Sequence, residues 1–98
     1  MSNLQLQAHV RRNAKDSARV VFTFHALERM SERSVSDREV HDCLRLGVIE
    51  RPPRRDGHRG TLLCTMEHFG AGRNLAVVVA LDEEDPNLLV VTVMMRTR

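Results

Sequence analysis

Residues 61–95 read TLLCTMEHFGAGRNLAVVVALDEEDPNLLVVTVMM, and this stretch decides the fold. It holds three strand-length runs, Thr61 to Phe69, Leu75 to Leu81 and Leu88 to Met95, rich in β-branched residues. Gly70-Ala71-Gly72-Arg73 separates the first two, and the acidic turn from Asp82 to Asn87 separates the last two. Such short links favour antiparallel neighbours, so the runs predict a β-meander. Leu75, Val77, Val79 and Leu81 share one face of the second run, with Ala76, Val78 and Ala80 on the other. In the third run Leu89, Val91, Val93 and Met95 oppose Leu88, Val90 and Met94. Both faces are therefore apolar. Two or three short helices cover one of them, and the other needs curvature, the N-terminal segment, a second copy of the chain or another protein to keep it from water.

Upstream of this stretch the period changes from two to 3.6. Asn3 to Ala14 is composed mostly of Leu, Gln, Ala and Arg and predicts a helix, punctuated by Lys15, Asp16 and Ser17. Arg19 to Thr23 is β-branched and aromatic, a brief strand. Ala26, Leu27 and Met30 then recur at helical spacing within Phe24 to Arg33, predicting an amphipathic helix that buries those three. Ser36 followed by Glu39 fits a capping box, so a further helix should run from Asp37 to Leu46, bury Val40, Cys43 and Leu44, and end at Gly47 in a left-handed cap. Val48, Ile49 and Glu50 can pair briefly before Pro52 and Pro53, and the segment to Gly60 reads as a loop. The order of elements gives an α+β fold, with N-terminal helices packed on one face of an antiparallel three- to four-stranded β-meander.

At 98 residues the chain has room for one core, so residues 1–98 form a single domain in this reading. No apolar run reaches transmembrane length, and the first twenty residues alternate leucine with polar and basic residues rather than forming a signal peptide. A cytoplasmic location without membrane attachment is expected. Cys43 and Cys64 sit in apolar surroundings and read as reduced core thiols. The net charge is only +2, but four of the 13 acids are consecutive at Asp82 to Asp85. Of the 15 basic residues, Lys15 is the one lysine. Guanidinium groups suit bidentate recognition of phosphate and carboxylate.

Two clusters carry candidate chemistry. His25, Arg29 and Arg33 are spaced i, i+4, i+8 and fall in one stripe along a helix flank. Two guanidiniums can hold phosphate oxygens while an imidazole transfers protons near neutral pH. The competing reading is a solvated face in which Glu28 and Glu32 pair with the two arginines. Arg51, Arg54, Arg55, His58 and Arg59 make a second, basic surface suited to a nucleic-acid backbone. The three aromatic residues, Phe22, Phe24 and Phe69, lie in apolar runs, which disfavours recognition by base stacking. His41 and Cys43 point to different sides of a helix, and Cys64 and His68 are about 13 Å apart along an extended strand, so neither pair makes a metal site. No glycine-rich nucleotide fingerprint is present, and no cofactor is implied.

The segment His25-Ala-Leu-Glu-Arg29-Met30-Ser-Glu-Arg33, with the short strand before it and the Ser36-led helix, Gly47 and strand runs behind it, resembles the domain of unknown function 4258 family through its H-x-x-x-R-M-x-x-R helix. The resemblance spans residues 19–95, leaving 1–18 as an N-terminal helix or tail. Ser34 stands where the family usually places a glycine. The order of elements is in turn similar to that of RelE-like and BrnT-like bacterial toxins, small metal-independent ribonucleases paired with antitoxins. That similarity implies attack of an RNA 2′-hydroxyl on the adjacent phosphate, with His25 as base or acid and Arg29 and Arg33 stabilising the transition state. Thr92 or Arg96 on the last strand would complete the site. RNA, an antitoxin-like protein and a second copy are the partners so implied, the alternative to catalysis being a non-catalytic RNA- or protein-binding module or a dimer using the exposed sheet face.

Overall fold

The computed structural model describes residues 2–55, 61–70, 72–82 and 84–96, so His58 and Arg59 of the basic cluster lie outside the described residues. Three helices, α1 (Asn3–Ala14), α2 (Phe24–Glu32) and α3 (Asp37–Leu46), accompany strands β1 (Val20–Phe22), β2 (Arg54–Arg55), β3 (Leu62–Gly70), β4 (Arg73–Leu81) and β5 (Leu88–Arg96). The sheet has five strands in the order β1-β5-β4-β3-β2. β1 pairs with β5 in parallel, and the other pairs are antiparallel. The α+β class stands, but a mixed five-stranded sheet replaces the purely antiparallel three- to four-stranded one expected. Two edge elements account for the difference. Val20–Phe22 joins the far end of the chain, and Arg54–Arg55, expected as loop, adds two residues to β3 opposite Leu63 and Leu62. Val48 makes one isolated bridge with Glu67.

All three helices pack on one face. Leu6, Val10 and Ala14 of α1, Ala26 and Met30 of α2, and Val40, Cys43 and Leu44 of α3 meet Cys64, Met66, Leu75, Val77, Val79, Leu81, Leu88, Val90 and Val93 of the sheet. β4 alternates as its sequence predicts. β5 does not, because Val78 is opposite Thr92 while Val79 is opposite Val90, leaving Val91 as a bulge. The extra residue reverses the alternation midway, so Leu88 and Val90 share the core face with Val93. Leu27, expected in the core, is 47% exposed, because α2 rides the sheet margin and only Ala26 and Met30 meet the sheet.

The helix ends explain how the layer is held. Ser36 Oγ accepts from the Glu39 N–H at 3.2 Å and Glu39 Oε1 accepts from the Ser36 N–H at 3.1 Å, the reciprocal box its sequence predicts. Arg11 donates to the carbonyls of Gly47 and Leu46 at the end of α3 (2.9 and 3.1 Å), and Arg45 donates to Ala14 at the end of α1 (2.9 Å). Each helix thus supplies a cation to the other's negative end, satisfying carbonyls that have no partner within their own helix.

At the end of α2 the Val35 N–H bonds Met30 O (2.9 Å) and the Ser34 N–H bonds Ser31 O (3.3 Å), the double closure of a Schellman turn. That turn needs a left-handed residue, and Ser34 has φ +52°. A side chain there costs about 1–2 kcal/mol, partly offset because glycine loses more backbone entropy on folding. Ser34→Gly should therefore raise the unfolding free energy by about 0.5–1 kcal/mol, read as a higher urea midpoint at unchanged slope. An unchanged midpoint would mean that the turn carries no such strain.

Candidate functional site

The flank of α2 is placed by the margin of β5. Thr23 caps the helix, its Oγ1 accepting from the Ala26 N–H at 3.1 Å and lying 2.9 and 3.1 Å from the carbonyl oxygens of Val90 and Val91. At the other end Arg33 Nη1 donates to Val93 O at 3.3 Å. The helix therefore runs beside that part of β5 which the three-residue β1 leaves without a neighbouring strand. His25, Arg29 and Arg33 all lie on this short helix or its cap, and their environments differ. His25 is exposed and has no partner among the described residues. Arg29 pairs with Glu32. Arg33 is exposed and spends one guanidinium N–H on the Val93 carbonyl rather than pairing with a carboxylate.

Thr92 and Arg96 belong to the opposite face of the sheet. Thr92 is level with Val78, and Arg96 Nε lies 3.4 Å from Glu67 Oε1. They sit on the side away from the helices, whereas α2 buries Ala26 and Met30 on the core side. The basic cluster is also separate. Arg51, Arg54 and Arg55 are exposed and have no partner among the described residues, and β2 is the edge strand farthest from β1. With three strand intervals of about 4.8 Å between β2 and β5, the two candidate surfaces are roughly 15 Å apart across the sheet.

The face away from the helices carries two adjoining grooves that share Leu63. One, of about 480 Å³, is floored by Val21, Ala80, Leu89 and Val91 and bordered by Asp82 and Asp85. The other, of about 380 Å³, lies among Arg51, Arg54, Thr65 and Val78. Neither is lined by His25, Arg29 or Arg33.

The thiols are buried and free. Burial pushes Cys43 up to about 12 and Cys64 up to about 11, and Cys43 Sγ lies 3.2 Å from Met66 O. At neutral pH both stay protonated, which withholds the thiolate that nucleophilic attack or metal binding requires. Among the described residues no group of three or more His, Cys, Asp or Glu is placed to hold a metal ion, and no helix is long and apolar enough to cross a membrane.

Sequence reasoning missed Arg73. Its guanidinium donates to both oxygens of Glu39 (2.6 and 2.7 Å from Nη2), to Ser34 O (2.7 Å) and to Arg33 O (3.1 Å). It fixes the turn that follows the H-x-x-x-R-M-x-x-R helix, and so the direction in which Arg33 leaves it. Nothing local announces this role, since Glu39 and Arg73 are far apart along the chain. Neither a curated protein nor a solved structure matches the chain. The family model described as Domain of unknown function (DUF4258) matches residues 22–95, from the end of β1 to the end of β5, and the chain belongs to that family.

Proposed function

We propose that the α2 flank is a phosphodiester site and that the chain is a toxin-like, metal-independent RNA endonuclease. The supporting observation is an imidazole left open to solvent at the start of a short helix whose next two turns carry guanidiniums. Among the described residues Arg29 is held only by a surface carboxylate, and exposed ion pairs contribute about 0–1 kcal/mol, so a phosphate displaces Glu32 at little cost. Arg33 retains further N–H donors beyond the one facing Val93. In the reaction His25 takes the proton of an RNA 2′-hydroxyl, the O2′–P bond forms, and the P–O5′ bond breaks. Arg29 and Arg33 offset the charge growing on the non-bridging oxygens. Water protonates the leaving 5′-oxygen, giving a 2′,3′-cyclic phosphate and a 5′-hydroxyl end.

A second reading has its own observation. Arg51, Arg54 and Arg55 carry no carboxylate partner among the described residues, which favours retention of RNA without cleavage. One assay separates the two. Purified protein is incubated with single-stranded RNA in excess chelator, and cyclic-phosphate ends are quantified for the wild type, His25→Ala and Arg33→Ala. The expected result is chelator-resistant cleavage that falls at least about tenfold in each variant. Cleavage unchanged in both variants refutes the α2 site. Retention without cleavage, weakening steeply with salt, selects the binding module.

A further inference from the structure

The helices cover one face of the sheet; on the other Ala76 and Val78 are buried, while Leu63, Leu89 and Val91 are half-exposed and Val21 is exposed. Val21, Leu63, Val78, Leu89 and Val91 line its two grooves, and a stable fold of this size does not ordinarily leave such a floor in water. The borders of the floor are charged with opposite sign. Asp82 and Asp85 close the first groove, while Arg51 and Arg54 stand over the second on the β2 side. The two carboxylates have no cation among the described residues. Each accepts a backbone N–H of its own turn, Asp82 from Glu84 at 3.0 Å and Asp85 from Asn87 at 2.9 Å. The two arginines have no carboxylate among the described residues.

We propose that this face is the interface of a two-fold homodimer, in which Arg51 and Arg54 of each copy meet Asp82 and Asp85 of the other. A two-fold axis lying in the contact plane carries one border of the face onto the opposite border, so a face that is basic on one side and acidic on the other is complementary to itself. A partner of uniform charge would match one border and repel the other. The area reaches the lower bound. β3, β4 and β5, each of nine residues and about 30 Å long, lie about 4.8 Å apart and with the two short edge strands give a face of roughly 500 Å², against a minimum of about 500 Å² per partner for a specific interface. Two sheets packed in this way bury Val21, Leu89 and Val91 between them. This proposal does not rest on cleavage at α2, since His25, Arg29 and Arg33 line neither groove.

The test is a charge exchange read by sedimentation. An acidic copy carries Arg51→Glu and Arg54→Glu, and a basic copy carries Asp82→Arg and Asp85→Arg. The wild type should sediment as a dimer, and each altered copy alone should dissociate at least tenfold more readily, because like charges then face each other. An equimolar mixture of the two should recover a one-to-one dimer, since both contacts become opposite in sign again. Asp82→Asn with Asp85→Asn keeps both turn hydrogen bonds and serves if the arginine substitutions disturb folding. It too should weaken the dimer, and less so in high salt. A wild type that stays monomeric at about 100 μM, a neutralised variant that dimerises like the wild type, or an equimolar mixture that remains monomeric while both copies are folded, overturns the proposal.

Discussion

Gly47→Ala is expected to lower the unfolding free energy by about 3 kcal/mol. The reason is contact rather than backbone conformation. Gly47 has φ −73° and ψ 176°, an extended geometry that any residue adopts. A Cβ there would collide with the carbonyl oxygen of Cys43 and lie 2.8 Å from that of Glu67. Both obstacles are backbone and both are held in place. Cys43 O accepts the Gly47 N–H at 2.8 Å, and Glu67 O accepts the Val48 N–H at 2.9 Å. The methyl group can be accommodated only by moving the end of α3 away from β3, which also disturbs the Arg11 bonds to Leu46 and Gly47. Gly72→Ala provides the comparison. Gly72 has φ +76° with nothing within 4 Å of the added carbon, so its cost is conformational and about 1 kcal/mol. Urea unfolding of the two variants should rank Gly47 as the more sensitive. The reverse ranking would show that the end of α3 yields to the added methyl group.

Gly47 shows where a sequence is legible and where it stops being so. The end of α3 is readable because capping is local: Ser36, Glu39 and Gly47 lie within one short segment, and the helix runs over Asp37–Leu46 as their spacing requires. Why glycine is needed at its end depends on β3, which arrives twenty residues later, and no local pattern encodes that approach. The same division runs through the sheet. The lengths of β3, β4 and β5 follow from their apolar runs, but the Val91 bulge falls inside Leu-Leu-Val-Val-Thr-Val, where every residue suits either face and the alternation gives no sign of slipping. Val20–Phe22 is recognisable as a strand, yet three residues cannot say which edge they join or in which direction. For the site, the i, i+4, i+8 stripe is evident from spacing, and the Arg29–Glu32 pair is a local competitor visible in the same window. That Arg33 turns to the Val93 carbonyl, and that Thr92 and Arg96 face away from the helices, are consequences of strand register.

Arg73→Ala is expected to lower the unfolding free energy by about 2 kcal/mol and to weaken the loss of stability expected of the wild type in acid. Arg73 and Glu39 retain 27% and 21% of their side-chain exposure, which places the pair between a solvated ion pair and a buried one. The guanidinium also serves the carbonyls of Arg33 and Ser34, so its removal releases three acceptors at once and loosens the turn between α2 and α3. The Arg73 hydrogen bond, followed by the Ser36 N–H, holds the Glu39 carboxyl below its ordinary value of 4.5. A group with a lowered folded-state value stabilises the protein fully above its unfolded-state value, and that contribution is lost as pH falls through the folded-state value. Wild-type stability should therefore decline as pH is lowered from about 4.5, and the decline should be shallower in Arg73→Ala. Glu39→Gln separates the ion pair from the cap, because glutamine at this position still completes the box with Ser36. The double variant should lose less than the sum of the two single losses by about 1 kcal/mol. Strict additivity, or an acid limb as steep in Arg73→Ala as in the wild type, would show that Arg73 acts through the two carbonyls and not through Glu39.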